Sequence, residues 1–283
     1  MGRAVLIVGM LPHDSGKTTF ALMLAEALRE EGFRVKAMKP VAAHSAWFQP
    51  WSLAESYRLG VLVGGDVVRY LRSGLIENPD LQNPVDLLTA PPDPIALPTT
   101  STYMSSVEAL ERQVVAARLS IHGRAYYVVP DNLARTPPHL RAALEGLLSR
   151  MGPASKATPQ WLLLRLSSPE VSARILDAAR SLMRSADVLL IESFNNALTP
   201  APGIESIVSS VIAVAPGRAL VYRGGKLRAY LSGSPAGVRS LTHNFAALAR
   251  PDATLSIPLT GPGAGGGRFS VNERLIEILL GVR

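Results

Sequence analysis

Cysteine is absent from all 283 residues. That single absence removes disulfides, thiolate metal sites and cysteine nucleophiles from consideration. It also suits a hot environment, as do the 22 prolines. Charged residues make up only 18% of the chain and aromatics 6%, against 47% hydrophobic residues. A chain this apolar and this lightly charged builds a core and is not globally disordered. No apolar run reaches the ~18 residues that a spanning helix requires. Met1-Gly2-Arg3 opens directly on a strand pattern, with no export signal, so a soluble, cytoplasmic protein without a membrane partner is expected. The net charge of +7 fits an anionic ligand, a nucleic acid or simply an Arg-rich composition. Its basic residues are scattered singly and not interleaved with aromatics, which disfavours nucleic acid as the partner.

What the chain does have is concentrated at its start. The apolar run Ala4–Val8 reads as a buried strand, and Phe20, Ala21, Leu24, Ala25 and Leu28 recur at helical spacing behind it. Between them lies Gly9-Met10-Leu11-Pro12-His13-Asp14-Ser15-Gly16-Lys17-Thr18-Thr19. A strand, a glycine-bounded loop ending in Gly-Lys-Thr and a helix make a phosphate-binding loop. Its backbone N–H groups and the positive end of the helix converge on a polyphosphate. Gly9, Asp14, Ser15, Gly16, Lys17, Thr18 and Thr19 are thus the nucleotide-binding candidates. Lys17 would supply charge at the terminal phosphates, and the Thr18 hydroxyl would ligate Mg²⁺. The spacing is unusual: six residues separate Gly9 from Gly16 where the standard motif has four, and Leu11 stands where the first glycine belongs.

The rest of the chain alternates strands and helices. Gly32 ends the first helix, and Arg34–Met38 reads as the second strand of a right-handed βαβ unit. Helical patterns fill Trp51 to Ser73, broken at Gly64-Gly65, and a Pro-rich loop follows from Asn78 to Thr99. Further helices are expected over Tyr103–Leu119, Pro138–Arg150, Pro169–Arg184, Val238–Arg250 and Asn272–Leu280. Strands are expected over Ala125–Val129, Trp161–Leu166, Asp187–Ile191, Ser210–Ala215 and Thr254–Ile257. A hairpin from Ala219 to Leu231 would turn at Gly224-Gly225, and Gly261–Gly267 reads as a flexible connection. The pattern argues for an α/β fold with a doubly wound, mostly parallel sheet and helices on both faces. One domain would span residues 1–283, with an inserted α/β segment near 96–185.

Two further sites carry chemistry. Lys39-Pro40-Val41 follows the second strand, at the edge where open α/β sheets bind ligands, so Lys39 is placed to meet a phosphate or a substrate carboxylate. His44 and Ser45 come next and are substrate-binding candidates, with a structural role open for His44. Asp187-Val-Leu-Leu-Ile-Glu192 is an apolar strand ending in a carboxylate, the hard ligand that Mg²⁺ needs. Asp66, after Gly64-Gly65, is a second carboxylate candidate whose other reading is a helix cap.

These pieces together resemble the dethiobiotin synthetase family of P-loop proteins. The matches, in order, are Gly16-Lys17-Thr18, Lys39-Pro40-Val41, Gly65-Asp66, Asn83-Pro84, Pro91-Pro92, Ile191-Glu192 and Thr199-Pro200, with Ser256-Ile257-Pro258-Leu259 near the end. The resemblance implies a P-loop NTPase fold, Lys17 on the β- and γ-phosphates, and Thr18, Asp66 and Glu192 around Mg²⁺. It also implies that Lys39 stabilises the transferred phosphoryl group or a bound carboxyl, so Lys17 and Lys39 are the catalytic candidates. Where that family has Gly-Ala-Gly-Gly after the glutamate, this chain has Ser193-Phe194-Asn195-Asn196, which makes Asn195 a substrate candidate. Leu11 to Thr18 and His44-Ser45-Ala46-Trp47 are also similar to archaeal proteins designated predicted P-loop ATPases or GTPases.

The guanine-reading Asn-Lys-x-Asp is absent, which favours ATP and leaves GTP open. Three activities remain: ATP-dependent phosphoryl transfer to, or activation of, a small molecule; an NTPase switch or metallochaperone acting on a partner protein; and a nucleic-acid-processing kinase. The second would involve a homodimer, since switch proteins of this group often pair across their nucleotide sites.

Overall fold

In the computed structural model, which describes residues 2–234, 237, 240–258 and 269–281, some strands follow the apolar runs and others, such as Ala154–Lys156, do not. In chain order they are β1 (Arg3–Gly9), β2 (Val35–Met38), β3 (Val41–Ser45), β4 (Val85–Thr89), β5 (Val114–Ser120), β6 (Arg124–Val128), β7 (Ala154–Lys156), β8 (Val188–Glu192), β9 (Val208–Ala215), β10 (Arg218–Arg223) and β11 (Ala253–Ser256). The architecture is α/β with two mixed sheets, and the chain divides into two compact units. Among the described residues no helix is long and apolar enough to cross a membrane.

The first unit takes in residues 1–40, 70–77 and 175–283. Its six-stranded sheet has the order β11-β10-β9-β1-β8-β2. β1 pairs in parallel with β8 and β9, β2 in parallel with β8, and β10 and β11 close the other edge antiparallel. Every residue of β8, and every residue of β1 after Arg3, is buried. Since successive side chains point to opposite faces, both faces of these strands are covered, which is why they read as unbroken apolar runs. Helix Lys17–Glu30 buries Phe20, Ala21, Leu24, Ala25 and Leu28, the five positions expected from the spacing. It stops at Gly32, whose φ of 87° suits glycine. There Gly32 N–H donates to Arg29 O and Phe33 N–H to Leu28 O, both at 3.0 Å, satisfying two terminal carbonyls.

The second unit takes in residues 41–69 and 78–174. Its sheet has the order β3-β4-β5-β6-β7, with β3 and β4 parallel, β6 and β7 parallel, and β5 antiparallel to both its neighbours. Leu140, Leu144, Leu147 and Met151 of helix Pro138–Met151 pack against Leu62, Leu88, Val115 and Tyr126. Arg118 of β5 is fully buried, donating to Leu62 O at 2.9 Å, Ser120 Oγ at 2.9 Å and Asn83 Oδ1 at 2.6 Å. Asp80 accepts from Arg124 Nη2 at 2.6 Å and from Ser120 Oγ at 2.7 Å. Partial burial works to raise the Asp80 pKa, but the hydrogen bonds from Arg124 and Ser120 and the charges of Arg118 and Arg124 outweigh it and hold the pKa below the usual aspartate value. The stability that Asp80 contributes is complete above the ordinary aspartate range and lost as pH falls through its lowered native value. Asp80→Asn should flatten the acid limb of stability against pH, as read by urea unfolding between about pH 6 and about pH 2.

The structure corrects four expectations about elements. Helix Tyr103–Leu119 is instead two short helices, Thr100–Glu108 and Leu110–Gln113, followed by β5, because Val114 to Ser120 finds ladder partners on both sides. The expected strand Trp161–Leu166 is the helix Pro159–Leu166, opened by the Thr158 side chain accepting from Trp161 N–H, with Pro159 in the first turn. The hairpin turns at Pro216-Gly217, where Gly217 has φ 74°, and Gly224–Gly233 is a helix. The Pro-rich stretch Asn78–Thr99 contains β4 and the short helix Pro79–Gln82. The segment near 96–185, read as an insertion, does not coincide with either compact unit, since the second unit begins at Val41. Of the expected helix Val238–Arg250, Thr242–Leu248 is helical, while residues 238 and 239 lie outside the described residues. Leu259 of the Ile-Pro segment and the loop Gly261–Gly267 also lie outside them.

Candidate functional site

Strand register alone assembles most of the site. β1, β8 and β2 are parallel and end at one edge, with Ile7 opposite Glu192 and Met38 opposite Ile191. The residue after Met38, Lys39, therefore falls beside Glu192, and the loop after Gly9 starts from the next strand over. Side chains at the carboxyl ends of neighbouring parallel strands converge on one crevice.

Glu192 is the centre of this cluster and is 1% exposed. Its Oε1 accepts from Lys39 Nζ at 2.5 Å, and Tyr70 Oη donates to Oε2. The Thr18 hydroxyl lies 3.1 Å from Oε1 and 3.0 Å from Oε2. Lys39, itself 3% exposed, also donates to Ser193 O at 3.2 Å. A buried carboxylate persists only with a cation and hydrogen bonds on its oxygens, and these three partners supply them.

The loop from Met10 to Gly16 is exposed at Leu11 to Asp14 and turns inward at Ser15, which is 1% exposed. Asp14 has φ 51° and Gly16 φ 86°, so the chain enters the helix through two left-handed residues. Gly16 is the N-cap and contributes no side chain there, and no acidic residue stands in the first turn. The positive pole of the helix thus keeps its attraction for an anion. Lys17 is 8% exposed and its Nζ donates to Ser15 Oγ at 3.2 Å. It also lies over Gly9: a Cβ there would stand 2.7 Å from Lys17 Nζ and 3.0 Å from Asn195 O. A side chain at Gly9 would crowd the tips of Ser15 and Lys17 and the backbone of the turn after β8. Thr19 is half-buried in the first turn.

The remaining candidates are placed as follows. Asn195 sits at φ 47° in the turn after β8. Asp66 stands in the first turn of helix Gly65–Arg72, in the second unit. His44 and Ser45 also belong to that unit. The His44 ring is buried, with Nδ1 2.7 Å from Ser52 Oγ. Its Nε2 is 3.1 Å from Asp86 Oδ1 in a close polar contact outside hydrogen-bond geometry. Ser45 Oγ accepts from Trp47 N–H at 3.3 Å and Phe48 N–H at 3.4 Å, a turn-forming role. The residue that sequence reading missed is Tyr70, which no motif singles out and which sits inside an ordinary amphipathic helix.

The donor set suits a small hard cation. A hydroxyl and a carboxylate in mutual contact offer oxygen ligands, or hold metal-bound water, next to a helix N-terminus that favours phosphate. Among the described residues no group of three or more His, Cys, Asp or Glu side chains could hold a metal. No protein-family model matches this chain, and no curated protein matches it.

Proposed function

We propose that the protein binds a Mg²⁺–nucleotide as a P-loop NTPase and uses it for ATP-dependent phosphoryl transfer to, or activation of, a small molecule. The observation that carries this reading is the Thr18 hydroxyl resting on the buried Glu192 carboxylate, in the first turn of a helix whose N-cap is a glycine and next to Lys17. Burial alone accounts for a cation and hydrogen bonds on Glu192; what favours a phosphate site is that one of those donors, Thr18, stands in the first turn after the glycine-bounded loop. In this reading backbone N–H groups at the start of helix Lys17–Glu30 hold phosphate oxygens and Lys17 neutralises their charge. Thr18 and Glu192 would hold the metal, which when bound neutralises charge on the leaving and transferred phosphates. Lys39 faces the same edge and stabilises charge developing on the moving group. Because Glu192 already carries a buried cation, the second positive charge enters only with phosphates to balance it. The absence of Asn-Lys-x-Asp favours ATP as the nucleotide and leaves GTP open.

Lys17→Ala tests the phosphate site. The substitution removes the loop's cation and leaves the backbone cradle, so affinity for Mg²⁺–ATP should fall by about 10²-fold. Isothermal titration calorimetry with a non-hydrolysable analogue measures it, and unchanged affinity would mean that the loop does not bind phosphate.

A further inference from the structure

Tyr70 reaches the site from a segment that is tied down along its length. Its carbonyl accepts from Leu75 N–H at 3.0 Å, Ile76 N–H at 3.2 Å and Ser73 Oγ at 3.0 Å, fixing the end of helix Gly65–Arg72. Leu75 O accepts from Ala37 N–H of β2 at 2.9 Å. Arg29 donates to Ser73 O at 3.0 Å and to Gly74 O at 3.2 Å, and Lys36 pairs with Glu77 at 3.1 Å. The backbone of residues 70–77 is therefore anchored to the first unit independently of the phenol. Tyr70 is 1% exposed, and a phenylalanine would fill the same space. Packing does not ask for the hydroxyl; Glu192 does.

A carboxylate has about four lone-pair positions. On Glu192 Lys39 takes one at Oε1 and Tyr70 one at Oε2, and the single proton of the Thr18 hydroxyl is shared between the two oxygens. The tyrosine fixes the plane of the carboxylate from the side opposite the lysine. Without it, the Glu192 side chain could rotate toward the ammonium of Lys39 and turn away from Thr18.

We infer that Tyr70 is the positioning residue of the metal site: its hydroxyl orients Glu192 so that the carboxylate and the Thr18 hydroxyl act on one cation. The inference rests on the nucleotide-binding reading above and adds a residue that neither the motifs nor the family resemblance includes. Groups that orient a metal's ligands typically control metal affinity by about 10- to 100-fold.

The test is the coupling between metal and nucleotide, measured by calorimetry with a non-hydrolysable ATP analogue in the presence of Mg²⁺ and of EDTA. Tyr70→Phe should leave metal-free nucleotide affinity unchanged while the gain from Mg²⁺ shrinks by about 10-fold or more. Tyr222→Phe is the control. Tyr222 is equally buried in the same unit, and its hydroxyl has no hydrogen-bond partner among the described residues, so this variant should keep the full Mg²⁺ gain. Two results would overturn the inference: Tyr70→Phe keeping the wild-type gain, or losing affinity equally with and without Mg²⁺, which marks a merely structural role. If the wild-type protein binds no nucleotide in either condition, the functional reading falls and this inference falls with it.

Discussion

Glu192→Gln is expected to lose Mg²⁺-dependent turnover by at least about 10²-fold and, in the same variant, to lose stability. The second effect follows from burial. Lys39 and Glu192 are 3% and 1% exposed and 2.5 Å apart, so a neutral amide leaves the ammonium buried without a counter-charge. Removing one partner of such a pair costs about 3 kcal/mol, which lowers the thermal midpoint by about 5–10 °C in a protein of this size. The double variant Lys39→Met, Glu192→Gln separates the two effects, because it removes both charges together. Its midpoint should recover toward wild type while turnover stays lost. A single variant with an unchanged midpoint would mean that the two groups are not a buried ion pair. A single variant with wild-type turnover would remove Glu192 from the chemistry.

Lys39→Ala should reduce phosphate release or transfer by about 10²-fold or more while nucleotide affinity stays within a few-fold. On the nucleotide reading, a cation in this position gains its value as charge develops on the γ-phosphoryl group, and the loss then belongs to turnover and not to ground-state binding. Lys39 is not a solvated surface lysine: it is buried and donates to Glu192 Oε1 and Ser193 O. Colourimetric phosphate release, paired with calorimetric affinity on the same preparations, gives both quantities. Equal rates in wild type and variant would strike Lys39 from the catalytic groups and favour a switch protein.

Most of the site was legible because it is local to strand ends. The run Ala4–Val8, the apolar spacing from Phe20 to Leu28 and Gly32 define β1 and its helix from neighbouring residues alone. Lys39 and Glu192 each close an apolar strand, and parallel register brings them together without further instruction. Tyr70 was not legible, since its relation to Glu192 spans 122 residues and arises only when residues 70–77 dock beside β2. The second unit was read least well for a related reason. β3 is five residues of modest apolarity, and β4 hides among prolines, so neither announces itself before pairing with the other. β5 and helix Pro159–Leu166 show the two directions of ambiguity in short apolar runs: Val114 to Ser120 resembles a helix continuation until it pairs, and Trp161 to Leu166 resembles a strand unless Thr158-Pro159 is weighed as a helix start.

The central claim is that Thr18 and Glu192 share a metal beside phosphates held by the loop from Gly9 to Thr19. A crystal structure of the protein with Mg²⁺ and a non-hydrolysable ATP analogue tests it most directly. The expected result is phosphates against the N-terminus of helix Lys17–Glu30, Lys17 Nζ on the terminal phosphates, and the metal bound by the Thr18 hydroxyl, with Glu192 as a ligand or holding one of its waters. A nucleotide bound elsewhere, or a metal whose ligands and waters touch neither Thr18 nor Glu192, would contradict it.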